Sequence, residues 1–201
     1  MSAEAPRAAV LDFGNVLVEV DFRRAFAFWA RAAGVPVDAL SEKFSVDEAY
    51  CAHERGEIDE AEYFKALRTT MGLQLSDAQM LVGWNAIFGE PLPGIERVLR
   101  VLAKRMPLYV FSNTNPAHVA HFGPRYQELL SPVTKVITSC DIGRRKPEPE
   151  AFRRMAAITG LPPSRLAFFD DLEENVAGAR QAGLQARRVS RAGEILAALG
   201  G

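Results

Sequence analysis

Ala8-Ala-Val-Leu-Asp12-Phe-Gly14-Asn-Val-Leu17 is the stretch on which the fold turns. Four apolar residues lead to one carboxylate, then a glycine turn, and then the chain is hydrophobic again. A short apolar run bounded by a turn predicts a strand covered on both faces of a parallel sheet, here Ala8 to Leu11. Asp12 then emerges at the carboxyl end of that strand, the edge at which open α/β sheets bind their ligands. Asp-x-Gly-Asn would serve equally well as a plain turn or helix cap. The rest of the chain has to decide between the two.

Downstream of this stretch the period changes. Phe22, Ala25, Phe26, Trp29, Ala30 and Ala33 recur at three- and four-residue spacing and predict a helix that Gly34 ends. Helices are also expected over 38–53, from 59 or 60 to 70, and over 77–88 with Ser76 as cap; no strand is expected in this block. After Pro91-Leu92-Pro93-Gly94 the chain alternates. Strands are expected over 107–112, 133–138, 165–169 and 185–189. Helices are expected over 95–104, 150–159, 173–182 and 192–199, with an irregular one over 118–130 broken at Gly123-Pro124. Such alternation requires a parallel sheet with right-handed crossovers. The fold class is therefore α/β, a Rossmann-like parallel sheet flanked by helices, with a small all-helical cap inserted after the first strand. The expected boundaries are 1–19 and 91–201 for the core and 20–90 for the cap.

Each of the first four expected strands of the core delivers polar chemistry at or beyond its end. The first ends at Asp12 and the second in Ser112-Asn113-Thr114-Asn115, a hydroxyl and amides able to hydrogen-bond an anion. Beyond the third, Arg144-Arg145-Lys146-Pro147-Glu148-Pro149 sets cations on a proline-stiffened loop. The fourth ends in Asp170-Asp171, with Glu174 and Asn175 opening a helix. Singly these are a helix cap, a solvated loop and a pair of carboxylates at a helix dipole. Together at one sheet edge they form a site for Mg²⁺ and a phosphoryl group. Mg²⁺ takes one or two protein carboxylates and fills its octahedron with water and phosphate oxygens.

Bulk properties narrow the partner. The 201 residues carry 24 Lys and Arg against 25 Asp and Glu, which gives no basic surface for nucleic acid or an anionic membrane. A small-molecule phosphate ester is the expected partner. Cys51 and Cys140 make no metal-binding pair, and Asp12, Asn15 and Glu19 interrupt the apolar stretch near the start, so a reduced, cytoplasmic protein is expected. Met1 to Arg7 is expected to be a frayed tail.

With these residues in place the chain resembles the haloacid dehalogenase superfamily, and within it the phosphatases with a helical cap. Four motifs carry the likeness, in order: Asp12-Phe-Gly-Asn-Val-Leu; Phe-Ser112-Asn-Thr-Asn; Arg-Lys146-Pro-Glu-Pro; and Phe-Phe-Asp170-Asp171 with Asn175. With His53-Glu54-Arg55-Gly56-Glu57-Ile58, they are similar to the bacterial α-D-glucose-1-phosphate phosphatase group. The resemblance implies Asp12 as nucleophile forming an aspartyl-phosphate, Lys146 as the cation on the phosphoryl oxygens, and Ser112 and Asn113 as phosphate-holding groups. It implies Asp12, the Gly14 carbonyl and Asp171 as Mg²⁺ ligands, supported by Asp170 and Asn175.

One position departs from the pattern. Gly14 stands where most phosphatases of the superfamily carry an acid/base Asp, a group that typically contributes about 10²–10⁴-fold. His53, Glu54 and Glu57 are the cap candidates to replace it, and His53 is also a candidate substrate contact. Trp29, Tyr50, Phe64 and Trp84 are candidates to line a sugar, although aromatics at helical spacing more often form a cap core. Two alternatives stand beside a phosphatase: a catalytically quiet phosphate-binding module, favoured by Gly14, and a dehalogenase-type hydrolase, which does not need the paired aspartates.

Overall fold

A computed structural model describes residues 4–200. Its centre is a five-stranded sheet in the order β5-β4-β1-β6-β7. The strands are β1 (Ala8–Leu11), β4 (Leu108–Ser112), β5 (Lys135–Thr138), β6 (Leu166–Asp170) and β7 (Gln185–Arg188). All neighbours pair in parallel, and β1 lies in the middle with Val10 opposite Tyr109 on one side and Phe168 on the other. Successive β1 side chains face opposite ways. Ala8 and Val10 join Phe152, Met155, Val176 and Ala179 from α10 (Pro149–Thr159) and α11 (Glu173–Gln181). Ala9 and Leu11 join Leu99, Leu102 and Ile195 from α6 (Ile95–Ala103) and α12 (Ala192–Ala198). A strand buried on both faces has to be apolar throughout, which is why 8–11 reads as it does.

Between β1 and α6 the chain forms a helical layer: α1 (Phe22–Ala33), α2 (Asp38–Ser41), α3 (Glu48–Glu54), α4 (Glu60–Met71) and α5 (Asp77–Asn85). Its interior is aromatic. Trp29 stacks on Trp84 at 6.4 Å, and its Nε1–H donates to the Met80 carbonyl at 3.1 Å. Reciprocal capping boxes start α4 at Asp59 and α5 at Ser76. Phe13 ties this layer to the turn after β1, stacking on Phe122 at 4.4 Å and lying edge-on to Phe88. None of the helices among the described residues is long and apolar enough to cross a membrane.

Four local expectations are corrected. The helix over 77–88 stops at Asn85, and β3 (Phe88–Pro91) pairs antiparallel with β2 (Val18–Val20), so a two-stranded ribbon joins the two crossings between helical layer and sheet. A strand this short declares itself only through its partner, nearly seventy residues away. The helix over 38–53 is two, because the Asp47 side chain accepts from the Tyr50 N–H and restarts the chain as α3. α7 (Pro116–Arg125) runs through Gly123-Pro124 and breaks at Tyr126, before α8 (Gln127–Leu130). Pro124 removes a single ladder bond, and α7 ends at the next residue, so little is lost. α9 (Ser139–Ile142), capped by Thr138, follows β5 directly. As for the frayed tail, Met1–Ala3 lie outside the described residues, whereas Glu4 pairs with Arg165 at 2.7 Å and the Arg7 N–H donates to the Arg165 carbonyl at 2.8 Å.

Candidate active site

A cleft of about 340 Å³ opens at the carboxyl ends of β1, β4 and β6, under the helical layer. Asp12 stands on its floor. The Asp12 N–H continues the sheet ladder by donating to the Phe169 carbonyl at 2.8 Å, so the residue is held at the strand end while its carboxylate faces the cleft. Lys146 reaches it from the loop that precedes α10. Its Nζ donates to Asp12 Oδ1 at 2.6 Å and to Asp170 Oδ2 at 2.7 Å, and the side chain is only 1% exposed. The rings of Phe111 and Phe168, each 5.5 Å from the ammonium, flank it.

Two devices hold the Lys146 loop. The Asn113 amide donates to the Lys146 carbonyl at 2.9 Å and accepts from the Lys146 N–H at 2.8 Å. Helix α11 lies so close that a Cβ at Gly178 would fall 2.1 Å from the Pro147 carbonyl oxygen, a contact only glycine permits. The Asn113 side chain is thus engaged with the loop, and its backbone N–H, with those of Phe13 and Gly14, is the part without a backbone acceptor among the described residues. Ser112 is buried beside it in the same cleft. Ser139, which sequence reading passed over, fixes the turn between β4 and α7: its hydroxyl accepts from the Thr114 N–H at 2.8 Å and donates to the Thr114 carbonyl at 3.0 Å. No sequence signal distinguishes such a serine from any other helix-start residue.

Asp170 is fully buried and fully partnered. Lys146, the Asn175 amide at 3.0 and 3.1 Å and the Leu172 N–H at 3.0 Å take both its oxygens. Asp171 is half-buried beside it, and the neighbouring Asn15 side chain opposes part of the rise that burial imposes on its carboxyl. Asn15 in turn sits at φ 55°, in the left-handed region that Asn tolerates, and its Oδ1 accepts from the Val20 N–H at 3.0 Å. Oxygens of Asp12, Asp170 and Asp171 lie within 4.8 Å of one another. Three carboxylates against one lysine leave an excess of negative charge. Burial pushes Asp12 up to about 7, Lys146 opposing and Asp170 adding to the rise; burial, then Asp170, raises Asp171. Hard oxygens, unbalanced charge and the Gly14 backbone on the same floor fit a divalent cation such as Mg²⁺. With Asp170 taken, Asp12 and Asp171 are the side chains that would hold it.

The cap candidates separate. His53 is 1% exposed, stacks on Tyr63 at 4.5 Å and is not among the residues lining the cleft, so it is not the surface helix-end residue that its sequence position allows. Glu57 is turned to Arg55 at the surface. Glu54 does line the cleft, where Arg145 Nε–H donates to its Oε2 at 2.8 Å. Of the aromatic candidates only Tyr50 lines the cleft; Trp29, Phe64 and Trp84 are core. His118 also lines it, but Nε2–H donates to the Trp84 carbonyl and Nδ1 accepts from Asn115, both at 3.1 Å. Burial pushes His118 down to about 3 and His53 to about 4, so both are neutral throughout the physiological range.

A histidine depressed on folding stabilises the fold fully above its unfolded pKa near 6.5, and that stability is lost as pH falls toward the folded value. His53→Phe keeps the stacking on Tyr63 and removes a ring nitrogen, Nε2, that has no partner. Its stability should therefore decline less steeply between pH 6.5 and 4.5, by up to about 1.4 kcal/mol per pH unit, in thermal melts against wild type. An identical acid limb would show that His53 already takes up its proton in the fold.

Residues 6–183 match the haloacid dehalogenase-like hydrolase family. Among curated proteins the chain is 27% identical over 182 residues to a D-ribitol-5-phosphate phosphatase of Bacteroides thetaiotaomicron, covering 88% of each. It is also 27% identical over 195 residues to a phosphatase of Mycobacterium tuberculosis, covering 93% of this chain and 88% of that one. Among solved structures it superposes on a haloacid dehalogenase family enzyme of Bacteroides thetaiotaomicron, in complex with magnesium and inorganic phosphate, with a TM-score of 0.77 at 26% identity, covering 92% of this chain and 94% of that one. With strand-end chemistry, sheet order and sequence in agreement over most of its length, the chain belongs to the haloacid dehalogenase-like hydrolase family.

Proposed function

We propose that the chain is a Mg²⁺-dependent phosphatase of a small phosphate ester, with Asp12 as nucleophile and residues 20–90 as a cap over the core formed by 1–19 and 91–201. The observation that carries this is the Lys146 ammonium bridging Asp12 and Asp170 on the cleft floor. A carboxylate and a phosphate dianion repel each other, and a buried cation touching the nucleophile allows their approach. The Asp12 carboxylate attacks phosphorus, the ester P–O bond breaks, and its electron pair leaves with the alcohol oxygen, which takes a proton. Water then attacks the aspartyl-phosphate, releasing inorganic phosphate and restoring Asp12. Ser112 and the N–H groups of Asn113 and Gly14 hold the transferred oxygens. Asp170 and Asn175 orient Lys146. Mg²⁺ held by Asp12, Asp171 and the Gly14 carbonyl supplies charge neutralisation on the phosphoryl group. Release of phosphate from p-nitrophenyl phosphate, glucose 1-phosphate and ribitol 5-phosphate with and without Mg²⁺ is the test. No metal-dependent release from any of them, with Asp12→Asn indistinguishable from wild type, would favour a quiet phosphate-binding module.

Gly14 deepens the substrate reading toward a sugar 1-phosphate such as glucose 1-phosphate. An anomeric oxygen leaves more readily than an ordinary alcohol because the ring oxygen withdraws charge, so a missing acid matters less there. Turnover of glucose 1-phosphate should exceed that of glucose 6-phosphate; an equal or greater rate on the 6-phosphate would sink the idea. A Cβ at position 14 would lie 3.2 Å from Val20 Cγ2, so an acid fits only with room made for it. Gly14→Asp combined with Val20→Ala should raise the 6-phosphate rate by about 10²-fold, the lower end of what a positioned acid contributes. The 1-phosphate rate should change much less.

A further inference from the structure

We propose that the Glu54–Arg145 ion pair selects a leaving group that carries hydroxyls but no charge, and rejects phosphate esters bearing a second anionic group. The inference rests on the phosphatase reading and assigns the residues that choose among its substrates.

Arg145 immediately precedes Lys146, so the loop that delivers one cation to the nucleophile delivers a second to the cleft wall. Glu54 comes from α3, 91 residues earlier, and meets it at 2.8 Å, the two side chains being 19% and 6% exposed for Arg145 and Glu54. Unpaired, that guanidinium would be a two-pronged site for a carboxylate or a second phosphate. Glu54 cancels the charge. An incoming anion would meet the carboxylate as well as the guanidinium, in surroundings too dry to screen it.

What the pair still offers is hydrogen bonding. Arg145 uses only Nε, and its Nη groups have no protein partner among the described residues. Tyr50 lines the cleft with Glu54 and adds a hydroxyl to the same wall. Donors beside acceptors suit hydroxyl groups, which are both. Val20, Phe22 and Val46 line the same cleft and offer an apolar surface to the C–H face of a sugar or polyol. Stability does not explain the pair, since a buried ion pair is often replaceable by apolar residues at no loss.

The test compares kcat/KM for glucose 1-phosphate and ribitol 5-phosphate with that for phosphoglycolate, each divided by the value for p-nitrophenyl phosphate, all with Mg²⁺. Wild type should favour the neutral leaving groups. Glu54→Gln uncovers Arg145 and should shift the ratio toward phosphoglycolate by about 10- to 100-fold, the range of a charge-assisted hydrogen bond. Arg145→Gln leaves Glu54 alone and should shift it the opposite way. The double variant, uncharged again, should return to within about threefold of wild type, the context scatter of a single interaction. If one single variant does not fold, the direction of the other decides. Ratios unmoved in the single variants, or moved the same way in both, would overturn the inference, because a merely structural pair loosens the cleft without regard to charge. Absence of release by wild type from every ester would instead overturn the phosphatase reading, and this inference with it.

Discussion

Asp12→Asn is expected to abolish phosphate release and, in metal-free protein at pH 8, to raise the melting temperature. The loss follows from chemistry: an amide cannot form the aspartyl-phosphate, and removing a nucleophile that works with a fixed partner costs about 10⁴- to 10⁶-fold in kcat. The gain follows from burial. Asp12 titrates near 7 in the fold against 3.8 unfolded, because the carboxylate is withdrawn from water beside Asp170. A carboxylate raised on folding binds its proton more tightly in the folded state. Its ionisation therefore weakens the fold progressively as pH rises from about 4 to about 7, and fully above that. Asn carries no such charge. Lys146 loses one of two partners in the exchange, so the net gain is smaller than the shift alone implies, about 1–2 kcal/mol or several degrees for a chain of this size. The gain should shrink toward pH 4. Melts in chelator at pH 8 and pH 5, with a phosphate-release assay, check both halves; residual turnover within tenfold of wild type would remove Asp12 as nucleophile, and a lower melting temperature at pH 8 would overturn the burial argument.

Lys146→Met should be the most damaging exchange in the molecule. It fills the same volume between Phe111 and Phe168 but leaves two buried carboxylates, one of them 0% exposed, without their shared counter-charge. Removing one partner of a buried ion pair costs about 3–5 kcal/mol. Activity should fall below detection for the same electrostatic reason, since nothing then offsets the repulsion between Asp12 and a phosphate dianion. The sign with pH is the diagnostic part. Asp12, already raised by burial, would be raised further without its counter-charge, so the stability deficit against wild type should be largest at pH 8 and shrink on acidification to pH 5.5. Mg²⁺ should narrow it as well, because it neutralises the same carboxylates. A deficit that is independent of pH and Mg²⁺ would mean that Lys146 acts by packing alone.

The sheet was legible because its signals are local. Ala8 to Leu11 had to be apolar to lie between two faces, and β4 and β6 on either side of it repeat the pattern with polar residues at their ends. Asp12, Ser112, Lys146, Asp170 and Asp171 were legible together because a parallel sheet brings every strand's carboxyl end to one edge. That rule needs no knowledge of packing. Gly14 was legible as a departure, although the neighbour that restricts it, Val20, was not.

What sequence left open turned on contacts between distant segments. His53 lies in a His-Glu-Arg-Gly-Glu run that reads as a surface helix end, yet it is buried against Tyr63 while the adjacent Glu54 enters the cleft. One residue along a helix is about 100° of rotation, and only the packing of α3 fixes which way each side chain faces. The Asn113 side chain clamps the backbone of Lys146, 33 residues on, and leaves its backbone N–H as the group free for an anion. Sequence alone determined which chemistry this chain carries and the sheet edge where it gathers, because periodicity and strand polarity are short-range properties. Tertiary structure decided which carboxylates Lys146 touches, across 134 and 24 residues, and that Arg145 is met by Glu54, because those distances depend on how layers pack.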